Sequence, residues 1–297
     1  HRTGAVLAAR KKFMFARTGD VCLIVAAILL ARHFHTTDIG SIISAAKIMD
    51  PANIPTGVLA SSLFICLAAF LKSAQFPSHG WLTEVMETPT PVSALLHAGI
   101  INGGTFLVVR LSDIVFLSDP ARMLLLVVGG FTALFASAIM ITQSGIKTSL
   151  AFSSVAHMGF MLFQCGLGAF PLAIIHLVAH SYYKAHAFLA SGSAVEAAKA
   201  VASAGKAPAP KAGDILVSFG IALAVYGTVS VLVGVPMGTI PSTLILGAIF
   251  VMGMTHLFVH GATGGVSFQN VVRTSLFAGA TSPSKSLKEC HGTTAKD

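Results

Sequence analysis

The sequence predicts an all-α protein that crosses a membrane about eight times. Of its 297 residues 54% are apolar and only 10% are charged, and the mean hydropathy is +0.81. Soluble globular proteins carry about 25% charged residues. The apolar residues form runs near the ~20 residues that a helix needs to cross the hydrocarbon core. The positive residues cluster between these runs, as membrane topology requires. The net charge of +8 therefore indicates no nucleic-acid partner.

The runs divide the chain into four regions. The predicted spans lie at residues 19–35, 56–75, 91–112, 121–142, 148–167, 171–195, 214–235 and 240–261. A basic flank, residues 1–18, precedes them. We expect a transmembrane core at 1–195 and a mobile linker at 196–213, followed by two further spans at 214–262 and a cytoplasmic tail at 263–297.

Positive charge orients the predicted spans. With eight crossings, thirteen lysines and arginines share the side of the N-terminus, and four lie on the opposite side (Arg32, Lys47, Arg110 and Arg122). Cytoplasmic loops of membrane proteins carry the excess of Lys and Arg. Both termini are therefore predicted to be cytoplasmic. The chain is expected to be a multi-pass protein of the cell inner membrane, in contact with membrane lipid.

An interrupted apolar segment is the strongest local feature. Lys72 lies deep in the second span, Pro77 breaks that span, and a Thr-Pro-Thr-Pro corner leads into the third span with His97. A central lysine costs about 2.5–3.5 kcal/mol even on the mildest insertion scale. Broken helices in a membrane need protein or water to satisfy their backbone. We therefore predict a discontinuous helix near Pro77 and a translocation path at Lys72. The alternatives are a lysine that snorkels to the interface and a hydrogen-bonded core histidine at His97.

Three titratable residues recur on the sixth span. His176, His180 and Lys184 follow i, i+4, i+8 spacing and share one helix stripe. Because the ordinary pKa of histidine is near 6.5, such a stripe can relay protons at physiological pH. Zinc binding by the two histidines is the weaker interpretation, since no third ligand and no H-E-x-x-H glutamate are evident. Hydrogen bonding between packed helices is the remaining alternative.

Weaker candidates surround these residues. Lys147 directly precedes the fifth span and is either part of the relay or an ordinary flanking charge. His157 belongs to the fifth span, and His256 and His260 belong to the last. Glu84 and Glu87 lie between Pro77 and the Thr-Pro-Thr-Pro corner. They are either acids at a channel mouth or solvated loop charges.

The acids and glycines add two further expectations. Asp20, Asp113 and Asp214 fall at predicted span ends, so Lys72 is expected to find its counter-ion outside this chain or to stay neutral. Gly99 and Gly103 are spaced for close helix packing. No nucleotide, nucleophile or iron–sulfur motif is present, so we expect no covalent chemistry from this chain by itself.

Several of these stretches resemble a known family. The runs Lys72-Ser-Ala-Gln, Glu-Thr-Pro-Thr-Pro-Val-Ser-Ala-Leu-Leu-His97, Gly-Ile-Lys147-Thr-Ser-Leu and His176-Leu-Val-Ala-His180-Ser-Tyr-Tyr-Lys184 are similar to proton-translocating membrane subunits of complex I and of multisubunit cation/proton antiporters. The run Gln-Phe-Pro-Ser-His-Gly-Trp-Leu-Thr-Glu-Val-Met resembles the DabB branch, the membrane subunit of the inorganic-carbon accumulation complex. Complex I subunits usually have Trp-Leu-Pro-Asp-Ala-Met there. The resemblance is clear over residues 8–195.

The resemblance implies an antiporter-like fold of inverted repeats, each with a broken helix, and a row of lysines and histidines along the midplane. Lys72 would match the lysine of the first broken helix. Lys147, His176, His180 and Lys184 would match the central relay. The family's first helices, with the glutamate that pairs with the first lysine, are absent from this sequence. The seventh span offers only Tyr226 where respiratory relatives carry a lysine, so His256 and His260 become the substitute candidates.

The function that the resemblance implies is conduction of protons, or else sodium ions, along Lys72, His97, His176, His180 and Lys184. Ion flow would energise a carbonic-anhydrase-like, DabA-type cytoplasmic partner whose zinc hydrates CO2 to bicarbonate. No cofactor is expected in this chain. The alternatives are a proton-pumping subunit of complex I or of a multisubunit cation/proton antiporter, and a non-conducting membrane scaffold.

Overall fold

A computed structural model describes residues 3–50, 53–85, 88–191, 212–233 and part of 245–259, and all its regular elements in these ranges are helices. The chain divides into two compact units, residues 1–200 and 201–297. The all-α class is therefore confirmed. Predictions for the linker and for the eighth span lie mostly outside the described residues, and those for the tail entirely so.

The first unit consists of ten α-helices and one 3₁₀ turn among the described residues. They are α1 Thr3–Phe34, α2 Ile39–Lys47, α3 Thr56–Lys72, α4 Gly80–Glu84, α5 Thr90–Ala98, the turn Ile100–Asn102, α6 Gly103–Arg110, α7 Ser112–Leu117, α8 Asp119–Thr142, α9 Ile146–Gly166 and α10 Phe170–Ala190. In the second unit, α11 is Ala212–Val233.

Several helices have the length and composition of membrane spans. Among the described residues, three stretches are long and apolar enough to cross a bilayer: Val6–Phe34, Thr90–Arg110 and Asp119–Thr142. The apolar helices Thr56–Lys72 and Ile215–Thr228 are shorter. Helices α9 and α10 are each 21 residues long and carry the polar residues of the candidate site.

The first helix differs from the prediction. It begins at Thr3, not near residue 19, because the supposed flank is rich in Ala, Leu, Lys and Arg, which are strong helix formers, and contains no proline. Arg10, Lys11, Lys12 and Arg17 of the flank therefore belong to the first half of α1. Asp20, expected at a span end, lies near the middle of this 32-residue helix.

The connection after α1 is fixed by a capped helix. Asp38 is the N-cap of α2, and its Oδ2 accepts a hydrogen bond from Ser41 N at 2.7 Å. The Ser41 hydroxyl donates a second bond to the same oxygen, and these two bonds hold the pKa of the Asp38 carboxyl below its usual 3.8. Ile42 and Ala46 turn inward, so α2 lays an apolar face on the core.

The predicted helix break is confirmed. Helix α3 ends at Lys72, Ala74 has a φ of 53°, and the short α4 follows. Freed backbone groups find local partners: Gln75 Nε2 donates to Ser73 O at 3.1 Å, and Phe76 N donates to Thr132 Oγ1 of α8 at 3.2 Å. This agrees with the rule that a break within a membrane requires protein groups to replace the lost helical bonds.

Glycines bring two helix pairs into close contact, although not at the predicted positions. A Cβ built on Gly103 meets no atom within 4 Å, and one on Gly99 meets only its own helix. A 3₁₀ turn separates the two residues, so they do not share a helix face. Instead a Cβ on Gly104 would collide with Ala69 O of α3, and one on Gly159 would lie 2.7 Å from Gly129 O of α8.

The contact between α8 and α9 leads to a prediction. Gly159→Leu should lower the free energy of unfolding by about 1–3 kcal/mol, since overpacking forces the helix backbones apart. Thermal unfolding of the purified protein in detergent measures the change. Gly103→Ala is the matched control, because its new methyl group meets open space. Equal melting temperatures for the two variants would contradict the proposed close approach.

Candidate functional site

Lys184 is fully buried between α9 and α10. It is 0% exposed and is, with Phe188, among the largest fully buried side chains of the described residues. The Nζ atom donates to Leu150 O at 3.0 Å and to Ser153 Oγ, both in α9. Within the described part of the chain, none of the ion pairs involves Lys184. This lysine therefore has two neutral oxygen partners in place of a carboxylate.

A row of polar side chains extends from Lys184 between α9 and α10. His157 Nδ1 lies 3.0 Å from His176 Nε2, and His176 Nδ1 lies 3.1 Å from Gln164 Oε1. The rings of His157 and His180 are 5.2 Å apart between centroids. The structure therefore brings together four of the predicted residues, His157, His176, His180 and Lys184.

This polar row runs along the helix axes. Ser153 and Gln164 are its ends on α9, separated by three turns or about 16 Å at ~1.5 Å per residue. Since α9 and α10 are antiparallel neighbours, His176 lies near one end of the interface and Lys184 near the other.

His97 adjoins the row from α5. It is 0% exposed, and its ring stacks on Phe188 at 4.3 Å with an interplanar angle of 19°. Phe188 lies one turn beyond Lys184 on the same stripe of α10. Neither ring nitrogen of His97 or of His180 has a hydrogen-bond partner among the described protein groups. These nitrogens remain available to water or to a proton.

Lys72 forms a second, separate cluster, and the expectation about its counter-ion is wrong. Its Nζ lies 2.6 Å from Asp20 Oδ1 of α1, and Arg17 Nη2 lies 3.0 Å from Asp20 Oδ2. The error follows from the length of α1: with its true start at Thr3, the helix carries Asp20 to the level of Lys72 at the end of α3. Both side chains are about 30% exposed, at 28% and 31%.

A cavity of about 230 Å³ adjoins Lys72. Its lining residues are Lys12, Ala16, Leu71, Lys72, Trp81, Ile100 and Gly103. The neighbouring Lys11 forms an ion pair of 2.5 Å with Glu84 of α4, one of the two acids predicted at a channel mouth. Glu84 therefore ties α4 to the first half of α1 close to this cavity.

The remaining candidates are apart from these clusters. Lys147 Nζ donates to Thr88 O at 3.3 Å, which holds the start of α9 against the Thr-Pro corner. Glu87, His256 and His260 lie outside the described residues. No group of three or more potential metal ligands occurs in the described part of the chain. Both ring nitrogens of His176 are engaged in hydrogen bonds, so neither is free to share a metal with His180.

Sequence reasoning missed three residues of these clusters: Asp20, Ser153 and Gln164. Ser153 and His157 are four residues apart, and Gln164 follows two turns later, so a stripe on α9 was readable in the sequence. The stripe becomes informative only when α10 is known to pack against it. Asp20 could be found only with the correct start of α1.

The sequence matches a protein-family model over most of its length. The model described as "NADH:quinone oxidoreductase/Mrp antiporter, TM" matches residues 2–266. Among individual proteins, the chain is 47% identical over 196 residues to "Probable inorganic carbon transporter subunit DabB" of Hydrogenovibrio crunogenus, covering 66% of this chain and 38% of that protein. It is 36% identical over 200 residues to "NADH-quinone oxidoreductase subunit L" of Mycobacterium tuberculosis, covering 66% and 31%.

Solved structures share the fold. The Mrp complex of a Dietzia species superposes with a TM-score of 0.62 at 24% identity, over 88% of this chain and 31% of that chain. Respiratory complex I of Thermus thermophilus gives a TM-score of 0.57 at 18% identity, over 93% and 57%. The antiporter-like fold is therefore confirmed. This chain spans only about a third of the length of the relatives it matches by sequence.

The Lys72–Asp20 ion pair leads to a stability prediction. Asp20→Leu should lower the melting temperature by several degrees, since it leaves the part-buried ammonium of Lys72 without a counter-ion. The double variant Asp20→Leu/Lys72→Met removes both charges and should recover part of that loss. Glu84→Gln, which breaks an exposed pair, should have a small effect. Thermal unfolding in detergent compares the three variants. A double variant less stable than Asp20→Leu would contradict the pairing.

Proposed function

Because the chain belongs to the family of membrane subunits shared by NADH:quinone oxidoreductases and Mrp antiporters, we propose that it translocates protons across a membrane. The observation that carries the proposal is Lys184, fully buried, without a carboxylate partner among the described residues, and beside a row of histidines. An ionisable residue within a membrane span is by default a functional group, since burial of its charge is expensive.

The chemistry of the row favours protons over sodium ions. Hard cations prefer carboxylate, carbonyl and water oxygens, whereas the row consists mainly of imidazole nitrogens and an ammonium group. Imidazole exchanges protons near physiological pH. The Leu150 carbonyl and the Ser153 hydroxyl are the oxygens at Lys184, and both accept hydrogen bonds from its Nζ. Sodium transport remains the alternative within the same path.

The proposed path joins the two clusters through α5. Lys72 exchanges a proton at its pair with Asp20, beside the cavity that Lys12 and Trp81 line. His97 is the intermediate group, because it stacks on Phe188 one turn from Lys184. From Lys184 the proton reaches His180, His157 and His176. Proton transfer between the clusters requires bridging water, since no hydrogen bond joins Lys72 directly to His97 among the described residues.

The peripheral candidates have supporting roles in this proposal. Glu84, paired with Lys11, guards the mouth of the cavity, and Lys147 fixes the Thr-Pro corner through Thr88 O. Glu87, which follows Glu84 in the sequence, is kept as a second candidate acid. His256 and His260 of the predicted last span are kept as candidate proton carriers. The excess of positive charge on the side of the N-terminus supports cytoplasmic termini.

We propose that the proton flow energises the uptake of inorganic carbon. The support is the 47% identity to DabB subunits of inorganic carbon transporters, against 36% to subunit L of an NADH-quinone oxidoreductase. A DabA-type, carbonic-anhydrase-like partner with zinc would then hydrate CO2 on the cytoplasmic side, energised by the ion flow. The second candidate function is a proton-pumping subunit of complex I or of a cation/proton antiporter, favoured by the shared fold.

Replacement of Lys184 by arginine tests the relay. Arginine keeps the positive charge but cannot release its proton, so Lys184→Arg should reduce proton flux by about 100-fold or more, as expected for loss of a proton-transfer group. Flux is measured with a pH-sensitive dye in liposomes that contain the complete purified complex. Lys47→Arg, an exposed lysine on α2, is the matched control. Unchanged flux in both Lys184→Arg and Lys72→Ala would favour the non-conducting scaffold.

Purification of the native complex tests the assignment to carbon uptake. We expect a co-purifying soluble subunit with stoichiometric zinc and carbonic-anhydrase-like activity. Mass spectrometry identifies the partner, and elemental analysis counts its metals. Flavin and iron–sulfur clusters in the purified complex would instead assign the chain to the respiratory branch.

A further inference from the structure

Gln164 ends the polar row within an otherwise apolar stretch of α9. Its side chain is 3% exposed, between Phe163 and Cys165. The Oε1 atom lies 3.1 Å from His176 Nδ1, and His176 Nε2 lies 3.0 Å from His157 Nδ1. Three side chains from two helices are thus linked by two hydrogen bonds in series.

The series determines where each proton lies. An amide oxygen only accepts hydrogen bonds, so His176 Nδ1 must carry the hydrogen. A neutral imidazole has a single N–H, which leaves His176 Nε2 as an acceptor. His157 Nδ1 must then donate to it, and the lone pair of neutral His157 lies on Nε2. Both N–H groups therefore point along the row toward Gln164.

We propose that Gln164 is a positioning residue that fixes the tautomers of His176 and His157 and so gives the row one direction. A proton that arrives at His157 Nε2 allows the Nδ1 proton of His157 to move to His176 Nε2. His157 is then neutral again, as its other tautomer, and His176 is the imidazolium. The amide oxygen is too weak a base to take the Nδ1 proton of His176, but its hydrogen bond stabilises that cation. The row therefore loads a proton onto His176 and holds it there.

The inference rests on the proposed function only for its effect on flux. The tautomers follow from the hydrogen bonds and exist whether or not protons cross the membrane. A carboxylate at position 164 would keep the same tautomers while binding the proton on His176 more strongly, because opposite charges would then face each other. A leucine would remove the acceptor and free both histidines to exchange tautomers.

Nitrogen-15 NMR of histidine-labelled protein in its native complex tests the proposal. Spectra are recorded at alkaline pH, where histidine is neutral, and His176→Asn and His157→Asn variants assign the two signals. In the unsubstituted protein, Nδ1 of both histidines should resonate at the protonated position and Nε2 at the unprotonated one. In Gln164→Leu both Nδ1 signals should shift toward the unprotonated position. Gln164→Glu should retain the original tautomers and slow proton flux.

The matched control is Gln143→Leu, a glutamine at the end of α8 whose bonds to Ile139 and Thr142 lie away from the row. It should change neither signal. Protonated Nε2 on His176 in the unsubstituted protein would overturn the proposal without any variant. So would unchanged tautomers in Gln164→Leu. If the tautomers shift as expected while Lys184→Arg leaves proton flux unchanged, the proposed path through Lys184 fails and the tautomer assignment stands.

Discussion

The ammonium group of Lys184 is buried away from the protein surface. It donates hydrogen bonds to two neutral oxygens, the Leu150 carbonyl and the Ser153 hydroxyl. Burial of an unpaired charge is among the most expensive arrangements in a protein. In the proposed relay, the group exists with and without its proton. Hydrogen-bond acceptors serve both forms, since a neutral amine still donates two hydrogens. A carboxylate would instead favour the charged form alone.

The second lysine is held in the opposite way. Lys72 faces Asp20 at 2.6 Å, and both side chains retain contact with solvent or with the adjoining cavity. The charge of Lys72 is therefore compensated by a carboxylate, and Arg17 shares that carboxylate. The two lysines thus differ in electrostatic environment rather than in residue type.

Much of this organisation was readable in the sequence, and the missing parts share a cause. The broken helix at Pro77 and the stripe of His176, His180 and Lys184 follow from local rules on proline, charge and helical spacing. The partners of these residues on other helices do not follow from such local rules. Asp20 was assigned to a span end because hydropathy locates the apolar part of a helix, whereas α1 continues through its basic half to Thr3. The close helix contact involves Gly104, not the predicted pair Gly99 and Gly103, because a 3₁₀ turn between the two predicted glycines shifts the helical register.

The 3₁₀ turn between α5 and α6 lets one segment contact both lysine environments. Helix α6 packs on α3 through Gly104, next to the end that carries Lys72, while α5 packs on α10 through His97 and Phe188. One continuous helix from residue 90 to 110 would keep its faces in fixed register. The turn at Ile100–Asn102 lets the two halves face different partners, and Asn102 Nδ2 donates to Ser181 Oγ of α10 at 2.8 Å within it. The segment therefore touches both lysine environments and is a structural link between them.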